Sequence, residues 1–332
     1  MKTNNYDVIS LGETMLRLAP PLHQRLEQCS SLDVTVGGAE MSVVCNLAGI
    51  GYSTAWISRL PDIPMGRFVA NKAREQGVDT RFIVWSNDSN DRTGLYFVEM
   101  GVTPRPSQVF YDRKNSAISN MSASEIDWDS IFKNTRIFHT SGITPALSQK
   151  CHDLTIDVFE LARKYNCMTS FDLNYRSKLW SIKDASTCFK KILPYVDILI
   201  TNPFDCRKFF DMTGTDRDIF HSMSQKFDIQ TIAFTFSENL GVNSGTWRSS
   251  IFHRDKIYES SVQDVEILDR FGAGDAFVSG LLGGMLDDDP EYAQKLGDAM
   301  AILSQTTFSD ISWIRKSDLN DYFQNKGFRI RR

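Results

Sequence analysis

The sequence has 332 residues, of which 42% are hydrophobic and 23% are charged, an ordinary balance for a globular chain that can bury a sizeable core. Lysine and arginine number 37 against 41 aspartates and glutamates, for a net charge of −4, and without a long basic run we expect no nucleic-acid partner. No apolar run approaches the roughly 20 residues of a membrane span, so we expect a cytoplasmic protein that binds no membrane.

The chain opens with a short apolar strand, residues 8–11, and the turn Gly12-Glu13. Glu13 is either a buried structural residue or a substrate contact. The glycines of Gly37-Gly38-Ala39 then open a helix whose apolar side faces a core, and Gly51 ends it.

Two segments interrupt the regular pattern. Residues 14–36 contain alternating strand-like runs and a Pro20-Pro21 break, and residues 90–112 contain two more extended runs around a proline-rich loop. Both read as strands outside a helix-covered sheet. Together they predict a small inserted β-sheet that acts as a lid over a site.

The rest of the chain alternates between short strands and helices. Predicted strands lie at 54–57, 81–85, 136–139, 168–172, 197–201 and 231–236, and predicted helices at 66–76, 148–165, 183–193, 205–227, 290–306 and 317–325, before a basic tail at 329–332. This alternation predicts one α/β domain over residues 1–332, with a mostly parallel sheet covered on both faces. Ligands bind such sheets beyond the strand ends, where residues 12–13, 172–176 and 202–205 fall.

The stretch from Asp269 to Phe277 carries the clearest functional pattern. A strand-like run at 265–268 leads into Gly272-Ala273-Gly274-Asp275, and apolar residues at helical spacing follow. The two glycines let backbone N–H groups turn toward one point, and the helix dipole adds positive charge there, so the turn can bind phosphate. The carboxylate of Asp275 beside that point indicates phosphoryl transfer. The alternative is a helix start without function, because acidic caps are common.

In these residues the chain resembles the ribokinase-like (PfkB-type) carbohydrate kinases. The resemblance covers about the whole sequence in order, from residues 10–13 and 36–40 to 269–277. Its most specific segments are similar to the family members that act on 2-keto-3-deoxygluconate; they are residues 92–99, 104–113, 141–147 and 172–180. The resemblance implies a ribokinase-like three-layer α/β/α fold and a kinase that uses ATP and Mg²⁺ to phosphorylate the 6-hydroxyl of that sugar acid.

The resemblance also implies roles for single residues. Asp275 would take the proton from the sugar hydroxyl, and Gly272, Ala273 and Gly274 would supply the N–H groups of an anion hole. It implies that Gly38, Tyr96, Tyr111, Arg113 and Arg176 contact the sugar. Nucleotide contacts are implied for Asn202, Thr235 and Ser237, and Asp205 would face the hydrated magnesium ion. Arg113 and Arg176 are the candidates for pairing with the substrate carboxylate, since the arginine fork matches a carboxylate better than lysine does.

Four positions depart from the family pattern. Ser42 stands where an Asn usually faces sugar hydroxyls, and Ser309 precedes Asp310 where glycine is common. Asp205 replaces a glutamate with a carboxylate one methylene shorter, and Ser237 stands where relatives often carry Arg. The departures on the nucleotide side would alter nucleotide affinity.

Other functions stay open from the sequence. A kinase for another sugar, such as fructose or a keto-gluconate, would use the same turn, and a catalytically weak sugar-binding regulator would keep the fold without turnover. A nicotinamide-dependent oxidoreductase is disfavoured, because Phe277 stands where the dinucleotide fingerprint needs its third glycine. We expect a sugar acid and ATP as small-molecule partners, and a homo-oligomer formed through the lid strands.

Overall fold

The computed structural model describes residues 6–324. Its strands are Tyr6–Leu11 (β1), Met15–Ala19 (β2), Asp33–Gly37 (β3), Thr54–Pro61 (β4), Ile83–Ser86 (β5), Leu95–Glu99 (β6), Gln108–Asp112 (β7), Thr135–Ser141 (β8), Met168–Asp172 (β9), Ile198–Thr201 (β10), Thr231–Asn239 (β11), Ser244–His253 (β12), Lys256–Glu259 (β13) and Gln263–Glu266 (β14). Its helices are Ala39–Gly49 (α1), Pro64–Glu75 (α2), Trp128–Phe132 (α3), Gln149–Lys164 (α4), Ile182–Ile192 (α5), Pro203–Phe210 (α6), Asp216–Phe227 (α7), Ala273–Met285 (α8), Pro290–Ser304 (α9) and Lys316–Phe323 (α10). Across these described residues, no helix has the length and apolar character needed to cross a membrane.

Parallel strands form most of the large sheet. Across the sheet they follow the order β5, β4, β1, β8, β9, β10 and β11, and β12, β13 and β14 extend it through antiparallel pairs. In register, Val8 of β1 lies between Thr54 of β4 and Ile137 of β8. Because neighbouring parallel strands run in the same direction, their carboxyl ends meet at one edge of the sheet.

Helices cover both faces of this sheet, so its strands are buried on both sides. Strand β10 shows the division: Leu199 belongs to the core beneath α3 to α7, whereas Ile198 and Ile200 belong to the core beneath α1, α2, α8 and α9. In the first core, the ring of Phe159 meets the rings of its neighbours edge to face at 5.6 and 5.7 Å. Such ring pairs add about 0.5–1.5 kcal/mol each beyond the burial of their area.

The second sheet has four strands in the order β3, β2, β6, β7. Its inner side packs Met15 and Tyr96 against Phe271, which lies next to the glycine turn. Its two edge strands are open to solvent, with Val34 of β3 45% exposed and Phe110 of β7 49% exposed. The small sheet therefore borders the edge at which the parallel strands end.

Helices α1 and α8 begin at that same edge. Gly38 is the N-cap of α1 and Gly272 is the N-cap of α8. The two helices pack together, and the hydroxyl of Ser279 donates to the carbonyl oxygen of Val43 at 3.2 Å. On its other side, α8 approaches α9 so closely that a Cβ on Gly280 would lie 2.5 Å from the backbone nitrogen of Gly297. This packing brings two helix N-termini to one place.

The predicted α/β fold with a mostly parallel sheet and a small separate sheet is confirmed. The continuous helix predicted at 205–227 is wrong, because Asp211 adopts a left-handed φ of 58° that ends α6, and Thr215 then caps α7. The strand predicted at 265–268 lies instead at Gln263–Glu266. The antiparallel strands β12 and β13 were not predicted, and the basic tail at 329–332 lies outside the described residues.

Candidate active site

Three adjoining cavities lie where the parallel strands end. The inner cavity, of about 100 Å³, lies between the start of α1, the small sheet and the start of α8. The strand-end cavity, of about 330 Å³, lies beyond β9 and β10, and the outer cavity, of about 950 Å³, lies between β7 and the loop after β9. Gly272 and Asp275 line the first two, Tyr111 and Arg113 line the inner and outer cavities, and Arg176 lines all three.

All but two of the site residues predicted from the sequence line these cavities. Gly38 and Tyr96 line the inner cavity, and Asn202, Asp205, Thr235 and Gly274 line the strand-end cavity. Ala273 is buried at the start of α8, and Ser237 is exposed on β11 opposite Trp247. The structure thus brings the predicted residues together, except Ser237, which lies outside the cavities. The role of each residue stays a prediction.

The glycine turn presents unpaired backbone donors. Gly272 has a left-handed φ of 79°, and a Cβ there would lie 2.2 Å from the carbonyl oxygen of Asp310, so this position requires glycine. Within the described part of the chain, the N–H groups of Gly272, Ala273 and Gly274 have no protein acceptor, as is usual in the first turn of a helix. A Cβ on Gly274 would meet no atom within 4 Å. This open helix N-terminus can bind phosphate.

Asp275 lies where the inner and strand-end cavities meet. Burial, assisted by the carboxylates of Asp172 and Asp310, raises the pKa of Asp275 to about 8, and the guanidinium of Arg176 opposes the shift. A carboxyl group with a pKa near neutral can accept and release a proton under ordinary conditions. The position and the pKa of Asp275 both suit a general base.

Asp172 is a second carboxyl group at the site, and the sequence placed it at a strand end without giving it a role. It lines the strand-end cavity, and burial raises its pKa to about 7, against the effect of Arg176. Its Oδ1 accepts a hydrogen bond from the Asn174 N–H at 3.1 Å. Because two nearby carboxyl groups disfavour each other's ionised form, a cation at this position would favour the ionisation of both.

Buried oxygen atoms around the inner cavity lack hydrogen-bond partners among the described residues. Oε1 of Glu40 accepts from the N–H of Ser141 at 3.1 Å, from its hydroxyl at 2.7 Å and from the Thr144 hydroxyl at 2.9 Å. Oε2 of Glu40, Oε1 of Glu13 and Oγ1 of Thr14 have no such partner. An unpaired buried polar atom costs about 1–3 kcal/mol, so these oxygens lower the stability of the fold around the inner cavity.

The two candidate arginines differ in how they are paired. Nε of Arg113 donates to Oε2 of Glu13 at 2.8 Å, and its Nη2 contacts the same oxygen. Arg176 is exposed, and within residues 6–324 its side chain bonds only to the carbonyl oxygen of Tyr175, at 3.5 Å. Glu13 is therefore a buried partner of Arg113, which supports the structural interpretation of Glu13, and Arg176 is the guanidinium that remains available to an anionic ligand.

A buried ion cluster, formed by Arg17, Asp269 and Asp310, ties the small sheet to the glycine turn. Arg17 of β2 donates to Asp269 at 2.6 Å and to Asp310 at 2.8 Å. Its guanidinium carbon lies 4.9 Å from the centre of the Phe271 ring, and Asp269 accepts from the Phe271 N–H at 3.0 Å. Burial raises the pKa of the Tyr96 hydroxyl, and nearby Asp310 adds to this effect. In the sequence, the one sign of this cluster was the charged residue Arg17 within the apolar strand β2.

Two residues predicted to lie on the nucleotide side, Asn202 and Asp205, form the N-terminal cap of α6. Oδ1 of Asn202 accepts from the Asp205 N–H at 2.8 Å, and Nδ2 of Asn202 donates to Oδ2 of Asp205 at 2.9 Å. Burial raises the pKa of Asp205, which is half-buried. The cap thus fixes the shorter carboxylate at the edge of the strand-end cavity.

Comparisons with known proteins show which family this chain resembles over its length. A sequence model of the pfkB family carbohydrate kinases matches residues 5–315. The chain is 35% identical over 316 residues to a 2-dehydro-3-deoxygalactonokinase of Haloferax volcanii, covering 94% of this chain and 95% of the relative. It is 33% identical over 174 residues to a 2-dehydro-3-deoxygluconokinase of Bacillus subtilis, covering 52% and 53% of the two chains. The crystal structure of a Thermotoga maritima 2-dehydro-3-deoxygluconokinase matches with a TM-score of 0.91 and 32% identity, covering 97% and 99%.

Replacing Arg17 with methionine should lower the free energy of unfolding by about 3–5 kcal/mol, because it leaves two buried carboxylates unpaired. Urea unfolding measures the loss. The matched control is the triple variant Arg17→Met/Asp269→Asn/Asp310→Asn, which removes all three charges and should recover part of the stability. If the triple variant were less stable than Arg17→Met, unpaired carboxylates would not be the cause of the loss in the single variant.

Asp275→Asn should stabilise the protein increasingly as the pH rises. A carboxyl group whose pKa is raised by folding favours the folded state below its unfolded pKa of about 4, and this contribution is lost as the pH rises toward about 8. The amide in the variant does not titrate. The melting-temperature difference between variant and wild type should therefore increase from about pH 5 to about pH 9; a constant difference would contradict the raised pKa.

Proposed function

The chain belongs to the pfkB family of carbohydrate kinases, and from this premise we propose that it transfers a phosphoryl group from ATP to the 6-hydroxyl of a 2-keto-3-deoxy sugar acid. The first candidate substrate is 2-keto-3-deoxygluconate. The observation that carries the proposal is the position of Asp275, which lies between an inner cavity with unpaired buried oxygens and the open N–H groups of the glycine turn.

In the proposed reaction, the hydroxyl oxygen of a sugar in the inner cavity attacks the γ-phosphorus of ATP. The bond from that phosphorus to the β–γ bridging oxygen breaks, ADP leaves, and the hydroxyl proton moves to the carboxylate of Asp275. The N–H groups of Gly272, Ala273 and Gly274 stabilise the charge on the transferring group. A pKa of about 8 lets Asp275 hold that proton after transfer.

The strand-end cavity suits a hydrated magnesium ion together with phosphate. No group of three or more His, Cys, Asp or Glu side chains within residues 6–324 could hold a metal alone. Mg²⁺ in kinase sites usually keeps several waters and uses one or two carboxylates with substrate phosphates, and Asp205 and Asp172 offer such a set. When bound, the ion neutralises phosphate charge and favours the ionised form of nearby carboxyl groups.

Recognition of a sugar acid requires a cation and several hydroxyl partners. Arg176, which forms no ion pair with any residue that the structure describes, supplies a guanidinium at the junction of the three cavities. Glu40 and Asp275 line the inner cavity and offer oxygens to sugar hydroxyls, and Tyr96 and Tyr111, stacked at 5.9 Å between ring centres, form a wall. These features support an acidic, hydroxylated ligand.

The second candidate substrate is 2-keto-3-deoxygalactonate, because the Haloferax volcanii relative is named for that sugar acid. It carries the same carboxylate and the same terminal hydroxyl, so Arg176 and Asp275 would act on it in the same way. The two candidates differ in the configuration of one hydroxyl group, which the inner cavity would contact.

We also infer that the small sheet acts as a lid and joins two copies of the chain. The side chains of Val34 and Phe110 are exposed on its edge strands, and open strand edges with apolar side chains favour pairing with another chain. Sedimentation of the purified protein as a monomer would contradict the dimer.

Purified protein with saturating Mg-ATP should phosphorylate 2-keto-3-deoxygluconate or 2-keto-3-deoxygalactonate with a higher kcat/KM than fructose or 2-keto-gluconate. A coupled assay of ADP formation measures these rates. Asp275→Asn should lower kcat by about 10²- to 10⁴-fold, because the variant loses the positioned base. The matched control is Asp157→Asn, an exposed residue of α4, which should keep wild-type turnover.

Full turnover in Asp275→Asn would remove the base assignment. Turnover of fructose without turnover of the sugar acids would exclude the proposed substrates in favour of a neutral-sugar kinase. Binding of a sugar acid without any turnover would indicate a regulator that keeps the fold.

A further inference from the structure

The outer cavity carries an excess of positive charge. Its charged lining residues are Arg113, Lys114, Arg176, Lys178 and Asp112. The one carboxylate, Asp112, is held by Arg92, whose Nη1 and Nη2 donate to its two oxygens at 2.6 and 2.8 Å. Arg92, which does not line the cavity, therefore balances the negative charge of Asp112. The cations of the cavity do not use Asp112 as an ion-pair partner.

Three of these four cations have no carboxylate partner in the part of the chain that the structure describes. Arg113 is paired with Glu13, whereas Arg176, Lys114 and Lys178 are exposed and form no ion pair. Exposed cations beside an opening raise the local concentration of anions and speed their association. The outer cavity is thus suited to attract an anion.

The inner cavity has the opposite character. Four acidic residues line it; they are Glu13, Glu40, Asp275 and Asp310. Glu13 is paired with Arg113, and Asp310 is paired with Arg17, but Glu40 and Asp275 form no ion pair with any described residue. Because the unpaired cations line the outer cavity, a sugar acid would bind with its carboxylate there and its hydroxyl end toward Asp275.

Tyr111 stands at the passage between the two cavities. It lines both, and its ring stacks on Tyr96. Nζ of Lys178 lies 5.7 Å from the centre of the Tyr111 ring, within the range of a cation–π contact. This contact holds Lys178 near the passage. Lys114 directly follows Arg113 in the chain and lines the same outer cavity.

We propose that Lys114 and Lys178 make the protein selective for anionic sugars, by attracting them into the outer cavity beside Arg176. This inference rests on the proposed function and adds two specificity-determining residues to it. Neither lysine lines the inner or the strand-end cavity, so both act on capture of the sugar acid and not on phosphoryl transfer. They should affect kcat/KM for the anion and leave kcat unchanged.

The double variant Lys114→Gln/Lys178→Gln tests this role. At saturating Mg-ATP, kcat/KM for the preferred sugar acid is measured from about 0.02 to about 0.5 M ionic strength, because salt screens such attraction. At low salt, the variant should lose about 5- to 20-fold in kcat/KM through a higher KM, with kcat within about twofold of wild type, and its kcat/KM should depend less on salt. The matched control, Lys256→Gln/Lys295→Gln, removes two exposed charges on β13 and α9 and should keep the wild-type salt dependence.

Equal salt dependence in the double variant and the wild type would overturn the inference, as would an equal loss in the control. A fall in kcat as large as the fall in kcat/KM would also overturn it, because it would place the lysines in the chemical step. If sugar acids turn over with unchanged salt dependence, the inference alone fails. If the wild type turns over neutral sugars but no sugar acid, the proposed function and the inference both fail.

Discussion

The ion cluster of Arg17, Asp269 and Asp310 is the interaction on which the geometry of the site depends. It joins the small sheet to the loop that leads into α8, and the main-chain carbonyl of Asp310 packs directly against Gly272. A buried cluster of this kind adds little net stability, since the cost of desolvation nearly cancels the attraction. Its effect is positional: one guanidinium bonded to two carboxylates ties the small sheet to the segments on either side of the glycine turn.

The buried carboxyl groups that the expected reaction needs lower the stability of the folded protein. Burial and the carboxylate of Asp172 raise the pKa of Asp275, burial raises the pKa of Asp172, and Glu40 is buried with an unpaired oxygen. A chain selected for stability alone would not keep these groups together. Their association is understandable if ligands supply the missing partners: hydroxyl groups for the unpaired oxygens and cationic charge for the carboxyl groups. In the proposed binding mode, the cations of the outer cavity hold the carboxylate of the sugar acid, and its hydroxyl end lies toward Asp275.

Much of the fold could be predicted from local sequence patterns, whereas most of the candidate site residues came from the resemblance to a known family. The spacing of apolar residues predicted the parallel strands and most of the helices between them. The glycine turn predicted the start of α8. The ion pairs of Arg17 and Arg113 could not be predicted, because their partners lie far away in the chain and no local pattern records them. Strands β12 and β13 were missed for a related reason: their burial depends on α9 and on β11, not on their own alternation. The helix break at Asp211 depends on one left-handed residue that is not glycine.

The distances along the chain within the ion cluster set an order for the folding of a newly made protein. The partners of Arg17 lie 252 and 293 residues further on, so the ion cluster cannot form until Asp310 has left the ribosome. Until then, β2 and its neighbours lack the loop against which they pack, and open strands with apolar side chains are prone to aggregate. Closing so long a loop adds only slightly to the entropic cost, because that cost grows with the logarithm of length. Strand β2 can pair with β3 and β6 early in synthesis. Its inner side, however, must stay uncovered until the loop before α8 has been made.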